Sequence, residues 1–307
     1  MACPIAFLNG GYVPGHEAVL PVTDWGFLQG ITIAEQLRTF AGRLFLREKH
    51  LARFQNGLKL LGWSLPVTEA ALCEAIEHVV AHNANLLDAE DDLGVTLFMT
   101  PGTYPAYAEG PLAGPTLCVH TYPLPFQQWR DRYQSGVSLV TVTVRQVPST
   151  CWPADLKCRS RMHYYLAQQE ASQREPGSTA LLLNQDGTVS ETPTANLLAY
   201  FEGQGLVSPQ AARILPGVSL HFLAEMAKRL GVPFVDRALT PQDLRQADEL
   251  FVTSTPYCML PVASLNGESF PAPGPTYAKL LAAWSAEVQI DIVQQAIRCG
   301  RTRPSSS

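Results

Sequence analysis

No two cysteines stand at CxxC spacing, although the chain holds seven of them. An odd, unpatterned set argues against a disulfide framework and for reduced thiols in a cytosolic protein. The seven histidines are equally dispersed, without zinc-ligand spacing, so no metal site is expected. No apolar run is long enough to span a bilayer. The N-terminus, Met1-Ala2-Cys3-Pro4-Ile5, lacks a basic stretch followed by an apolar one, so no signal peptide is read there. Positive charge is scarce: 22 Lys and Arg face 27 Asp and Glu, a net charge of -5. That balance carries no electrostatic footprint for nucleic acid. Charged residues of both signs make up only 16%, a sparingly charged surface that leaves room for an oligomeric interface.

What is present is a 307-residue chain with 46% hydrophobic content. It is long enough for a sizeable core, and its length favours two domains. Ile5-Ala6-Phe7-Leu8 followed by Asn9-Gly10 reads as a strand entering a hairpin. Residues 23–30 read as a glycine-punctuated loop. Residues 33–40 are ambiguous between helix and strand, and the Ala41-Gly42 turn favours a hairpin. If that stretch is a strand, Glu35 and Arg38 lie on opposite faces, and Glu35 reads as a solvated edge charge. Residues 48–61 read as an amphipathic helix with Leu51, Phe54, Leu58 and Leu61 on one face. A second helix is expected over 67–84, and strands over 95–100 and 116–121. Tyr122-Pro123-Leu124-Pro125-Phe126 is the expected linker, stiffened by two prolines. The expected domains are therefore 1–121 and 127–307.

The second half alternates strands with helices. Strands are expected over 137–144, 197–201, 234–237 and 249–255, and a hairpin over 179–190 around Asp186-Gly187. Helices are expected over 160–172, from Val218 to Leu230, over 240–246 and over 278–297, with a frayed tail after Arg301. The class is mixed α/β or α+β, not a regular βαβ array.

Chemistry concentrates in the stretch from Pro153 to Asn196. Lys157 reads as an amine nucleophile and Glu191 as a carboxylate serving the same site. Aldehyde chemistry needs an amine that loses its proton near neutral pH, which a partly desolvated lysine does. Two segments resemble anion cradles. Leu215-Pro216-Gly217-Val218-Ser219 opens a helix, whose first N–H groups and dipole favour phosphate. Thr253-Ser254-Thr255 follows an apolar strand and offers hydroxyl donors. A lysine, a carboxylate and two phosphate-suited turns together point to pyridoxal phosphate. Each alone has an ordinary reading: a surface lysine, a helix entry, a cap.

The ordered motifs resemble those of the class IV, or fold type IV, pyridoxal-phosphate enzymes. That group includes branched-chain and D-amino acid aminotransferases and aminodeoxychorismate lyase. The resemblance runs from about residue 8 to residue 262. His50-Leu51-Ala52-Arg53 is similar to the family's HxxR, and Asp155-Leu156-Lys157 to the strand carrying its Schiff-base lysine. Val189-Ser190-Glu191 with Asn196 is similar to VTEGSSSN. Ile214 to Ser219 is similar to ILPGIT, and Phe251 to Thr255 with Pro261-Val262 to FVTST…PV. The resemblance implies a two-domain fold of the D-amino acid aminotransferase type and a homodimer. It implies an aminotransferase passing an amino group between an amino donor and a 2-oxo acid acceptor. Lys157 would hold the cofactor and shuttle a proton, and Glu191 would face the ring nitrogen. Leu215 would pack on the ring, and Arg53, Val218, Ser219 and Thr255 would bind its phosphate.

The departures bear on the substrate. Ala34 stands where D-amino acid enzymes place a tyrosine, and Pro101 where they place an arginine. Pro256 has no N–H to offer where branched-chain enzymes use one. A buried substrate carboxylate still needs a donor or a countercharge. Arg38, Arg159 and Arg161 are the available replacements; Arg38 is the first expectation, with Arg159 or a structural ion pair for Arg38 as the competing readings. A lyase, or a cofactor-binding protein without turnover, remains the alternative function.

Overall fold

Asn9 and Gly10 both take positive φ, 51° and 93°, the backbone that a two-residue hairpin turn requires. They join β1 (Ile5–Leu8) to β2 (Gly11–Pro14). The structure is a computed structural model that describes residues 3–108, 110 and 114–300. The expected tail from Arg301 lies outside the described residues. Within them no helix is long and apolar enough to cross a membrane.

The chain divides into two units. The first comprises residues 1–124 with 156–160, and the second 125–155 with 161–307. The cut falls inside the proline-rich segment 122–126. The lysine, expected in the second domain, clusters instead with the first unit. Its segment is not a regular strand either, since only one bridge, Cys158 to Ile33, is formed. Backbone bonds from Ala34 N–H to the Lys157 carbonyl (2.9 Å) and from Arg159 N–H to the Thr32 carbonyl (2.8 Å) hold it there.

The first unit is a six-stranded sheet in the order β2-β1-β6-β5-β3-β4. Its other strands are β3 (Ile33–Phe40), β4 (Arg43–Leu44), β5 (Leu93–Thr100) and β6 (Thr116–Pro123). The ambiguous stretch is thus a strand. It alternates Ile33, Glu35 and Leu37 against Ala34, Gln36 and Arg38 across the sheet. Leu37, Val95, Leu97 and Val119 face α2 (Arg47–Leu61) and α3 (Glu69–Ala84), where Leu51, Phe54, Leu58 and Ile76 complete the core. Each such buried side chain contributes about 1.5–3 kcal/mol. Gly62, at φ 66°, ends α2 by donating to the carbonyls of Leu58 and Lys59.

Several details differ from the sequence reading. Residues 23–30 contain a short helix, α1 (Trp25–Gln29), because Asp24 caps it by accepting from the Gly26 N–H at 2.7 Å. The other Asp24 oxygen accepts from Thr100 and Thr116 hydroxyls, each at 2.8 Å. A side chain at Gly26 would strike Thr100 Cγ2 at 2.4 Å.

The second correction concerns Arg38. Its side chain is fully buried, faces Asp92 across 3.7 Å, and stacks on the Phe40 ring at 3.8 Å. Its Nε donates to the Thr39 carbonyl at 2.9 Å. Asp92 also accepts from the Thr39 hydroxyl (2.6 Å) and from the N–H groups of Ala41 and Gly42. The pair therefore clasps the β3–β4 hairpin. This is the structural ion pair that competed with the carboxylate-binding reading, and Arg38 is reassigned to it.

The second unit is built on a mixed sheet in the order β11-β10-β9-β12-β13-β7-β8, with β14 paired to β13. Its strands are β7 (Val137–Arg145), β8 (Thr179–Leu183), β9 (Asn196–Phe201), β10 (Gly205–Ser208), β11 (Phe234–Asp236), β12 (Glu249–Ser254), β13 (Cys258–Leu265) and β14 (Glu268–Ser269). The helices are α4 (Arg132–Ser135), α5 (Met162–Arg174), α6 (Val218–Arg229), α7 (Pro241–Arg245), α8 (Pro275–Val288) and α9 (Ile292–Cys299). Ala167 and Ala171 let α5 lie close on Val140, Val142 and Ala180. The hairpin expected over 179–190 is formed: β8 turns through Asp186-Gly187 and is paired by a Leu183–Val189 bridge and by backbone bonds from Asn184 N–H to the Thr188 carbonyl (2.7 Å), from Ser190 N–H to the Leu182 carbonyl (3.0 Å) and from Leu182 N–H to the Glu191 carbonyl (3.1 Å). The single terminal helix expected over 278–297 is two helices. Gln289, at φ 57°, stops the first, and Asp291 caps the second through the Gln294 N–H.

Removing the Asp92 carboxylate takes away the acid partner of a buried guanidinium and three further acceptor contacts. Asp92→Ala is expected to lower unfolding stability by about 3–5 kcal/mol, read by denaturant titration. A loss below about 1 kcal/mol would contradict the clasp.

Candidate active site

In the first unit, His50 and Arg53 stand three residues apart on α2, on one helix face. Both reach the same carboxylate of β3. Arg53 Nε donates to Glu35 Oε1 and its Nη2 to Oε2, each at 2.7 Å, a bidentate fork. His50 Nδ1 lies 2.8 Å from Oε2. Glu35 is 1% exposed, so it is not the solvated edge charge expected from the sequence. Alternation points it at α2, where two donors meet it. Burial alone would raise its pKa, but the Arg53 charge and hydrogen bonds, with those of His50, bring it down to about 2.

His50 is held below its ordinary value, first by burial and then by the charges of Arg53 and Lys157, against the pull of Glu35. A neutral ring facing a carboxylate through Nδ1 carries its proton there. Its Nε2 is then a bare acceptor, fully buried, with no partner among the described residues. The Lys157 charge is among those that act on this ring.

On the opposite face of the same sheet, pairing aligns Gln36 with Thr96 and His120, and Arg38 with Gly94 and Tyr122. The Gln36 amide donates to the Tyr122 hydroxyl. Burial lowers the His120 pKa and raises that of Tyr122, and the Arg159 charge pushes both downward. Arg159, an exposed residue, therefore stands near both rings. Sequence reasoning does not single out Gln36, His120 or Tyr122. Their one signal is a polar residue at alternate positions of apolar strands.

In the second unit, Glu191 and Leu215 come together. Four donors meet the Glu191 carboxylate. The Tyr164 hydroxyl (2.8 Å) and the Gln146 amide (2.9 Å) reach Oε1. The Asn196 amide (3.1 Å) and the Leu215 N–H (3.4 Å) reach Oε2. Asn196 also donates to the Leu215 carbonyl at 2.9 Å, pinning the approach to α6. Gly217 is the N-cap of that helix, and a Cβ there would lie 2.1 Å from Asn196 Oδ1. Val218 and Ser219 are the first helical residues, whose N–H groups have no acceptor within the helix. Thr255 lies in the β12–β13 turn, which the Ser254 hydroxyl ties to the Thr194 carbonyl at 2.7 Å. Burial and the neighbouring Glu191 charge push the Tyr164 pKa upward, so the phenol stays a donor. Neither Gln146 nor Tyr164 belongs to a motif visible in the sequence.

A family model described as "Amino-transferase class IV" matches residues 32–265. The D-alanine aminotransferase of Bacillus licheniformis is 27% identical over 270 residues, covering 87% of this chain and 91% of that protein. A putative branched-chain-amino-acid aminotransferase of Methanocaldococcus jannaschii is 28% identical over 262 residues, covering 85% and 88%. Among solved structures, a T.th. branched-chain amino acid aminotransferase with pyridoxamine 5'-phosphate superposes with a TM-score of 0.82. It is 24% identical, and the match covers 94% of this chain and 95% of that one. The 4-amino-4-deoxychorismate lyase of Pseudomonas aeruginosa gives a TM-score of 0.75 at 28% identity, covering 92% and 98%.

The lowered Glu35 pKa makes stability depend on pH. The contribution is fully present above the ordinary value of 4.5 and is lost as pH falls towards about 2. Glu35→Gln is expected to cost about 2–4 kcal/mol at pH 7. Its deficit against the native chain should close between pH 4.5 and about 2 in denaturant titrations. A deficit independent of pH would contradict the buried ion pair.

Proposed function

The chain belongs to the class IV aminotransferase family, and from that membership we propose how its own residues divide the transfer of an amino group from an amino acid to a 2-oxo acid. Its cofactor is pyridoxal 5'-phosphate. Each unit by itself has a feature that fits that group: in the first, the buried Nε2 of His50, without a partner among the described residues, and in the second, the close cradle at Gly217 ahead of the α6 N–H groups. When bound, the cofactor supplies an aldehyde carbon and a ring that draws in the electrons left at Cα.

Lys157 would hold the aldehyde carbon through Nζ and would move the proton at Cα. Glu191 would meet the ring nitrogen and keep its proton in place. Leu215 would pack on the ring. Arg53, Thr255 and the N–H groups of Val218 and Ser219 would hold the phosphate, with Glu35 orienting the Arg53 fork. The fourfold-held Glu191 carboxylate is the observation that supports this reading most. The elimination reading is not favoured, since the named curated relatives are aminotransferases.

The substrate's carboxylate goes to Arg159, now that Arg38 is bound to Asp92. Arg159 is exposed, and its charge is felt by His120 and Tyr122 on the same sheet face as Arg38. D-alanine and branched-chain amino acids are the first donors to test. The protein works as a homodimer in the cytoplasm. Val19, Val22 and Phe27, each at least 67% exposed, form an apolar stretch suited to a second copy. All seven cysteines are free thiols.

Borohydride reduction of the loaded protein is expected to fix the cofactor to the peptide containing Lys157, and Lys157→Ala to abolish turnover. Labelling at another lysine would overturn the assignment. Arg159→Met is expected to lower kcat/KM for amino acids about ten- to hundredfold. Amines without a carboxylate should be spared. Equal losses for both substrate kinds, or none, would overturn the role of Arg159.

A further inference from the structure

Gln146 directly follows β7, and every hydrogen-bonding position of its side chain is used. The Val147 N–H donates to Oε1 at 3.0 Å, and His163 Nε2 lies 2.8 Å from the same oxygen. The amide nitrogen donates to the Tyr164 hydroxyl at 2.8 Å and to Glu191 Oε1 at 2.9 Å. A backbone N–H can only donate, so the atom it meets is the oxygen. That contact fixes the amide orientation without any assumption about the histidine tautomer. The N–H pair must then face Glu191 and Tyr164. The His163 ring, tilted by 38° against Tyr164 with centroids 3.9 Å apart, must carry its proton on Nε2. Burial, helped by the Arg161 charge, lowers the His163 pKa to about 4, so the ring is neutral at pH 7.

We propose that Gln146, locked by Val147 and His163, is a positioning residue that holds Glu191 charged and aimed at the cofactor's ring nitrogen. The proposal rests on the assignment of Glu191 to that nitrogen. A neutral donor on Oε1 stabilises the carboxylate form and lowers its appetite for the ring proton. With Gln146 gone, Glu191 becomes more basic and less fixed, and the proton shifts from the ring nitrogen towards the carboxylate. The holding group adds no charge of its own. An arginine in its place would neutralise Glu191 instead of supporting it.

The test uses the holoenzyme loaded with pyridoxal phosphate labelled with 15N in the ring. Gln146→Met keeps length and removes both donors. The ring 15N resonance is expected to move towards the unprotonated value, and kcat to fall about ten- to hundredfold with little change in KM. Gln146→Glu serves as a second variant, since its oxygens can still accept from Val147 and His163. It puts a second carboxyl against Glu191, and the proton shared between them restores a donor to Oε1, so the resonance should stay nearer the native position than in Gln146→Met. Glu191→Gln is the control. If Glu191→Gln moves the resonance and Gln146→Met leaves it at the native position, the role of Gln146 is overturned while that of Glu191 stands. If Glu191→Gln itself leaves the resonance unmoved, the ring-nitrogen assignment fails and the proposal fails with it. A loss of stability with a native resonance would reduce Gln146 to a structural residue.

Discussion

A carboxylate taken out of water stays charged only where donors replace the water. Glu191 is 6% exposed, and its donors come from four places in the second unit. Gln146 follows β7, Tyr164 lies in α5, Asn196 opens β9, and Leu215 leads into α6. Holding one carboxylate therefore sets where a strand ends, where a helix begins and how the α6 entry approaches. The same contact explains the glycine at 217, because Asn196 can bridge Glu191 and Leu215 only if no Cβ occupies that space.

The first unit repeats this logic three times. Asp24 is held in place by Gly26, Thr100 and Thr116. Asp92 gathers the β3–β4 turn and Arg38. Glu35 binds His50 and Arg53. In each case the acid fixes backbone or side-chain geometry that apolar packing alone leaves loose, because hydrophobic burial has no direction. Glu35 is the case closest to the chemistry. It takes up one edge of the Arg53 guanidinium and holds the His50 ring so that a buried acceptor remains on its far side.

Much of this is legible in the sequence, and the rest is not for identifiable reasons. Hydrophobic periodicity over 48–61 locates α2 within a residue at its start. Local motifs also single out His50 with Arg53, and Glu191 with Leu215. These are short-range signals, since offsets along the chain carry them. Gln146 and Tyr164 meet Glu191 across 45 and 27 residues, and no local pattern encodes that register. Elimination points to Arg38 as the carboxylate ligand because its acid, Asp92, is separated from it in sequence by two whole helices. Glu35 is undervalued because alternation gives its face without showing that α2 packs there. The α8–α9 break at Gln289 carries neither glycine nor proline, so nothing local announces it.

The most direct measurement follows the nitrogen atom. The cofactor-loaded protein is mixed with a 15N-labelled amino acid donor and no acceptor, and the label is then traced. Amino-group transfer predicts one labelled nitrogen retained per site, one 2-oxo acid released, and passage of the label to an added 2-oxo acid. Labelled ammonia released in solution, with none retained by the protein, would contradict the account.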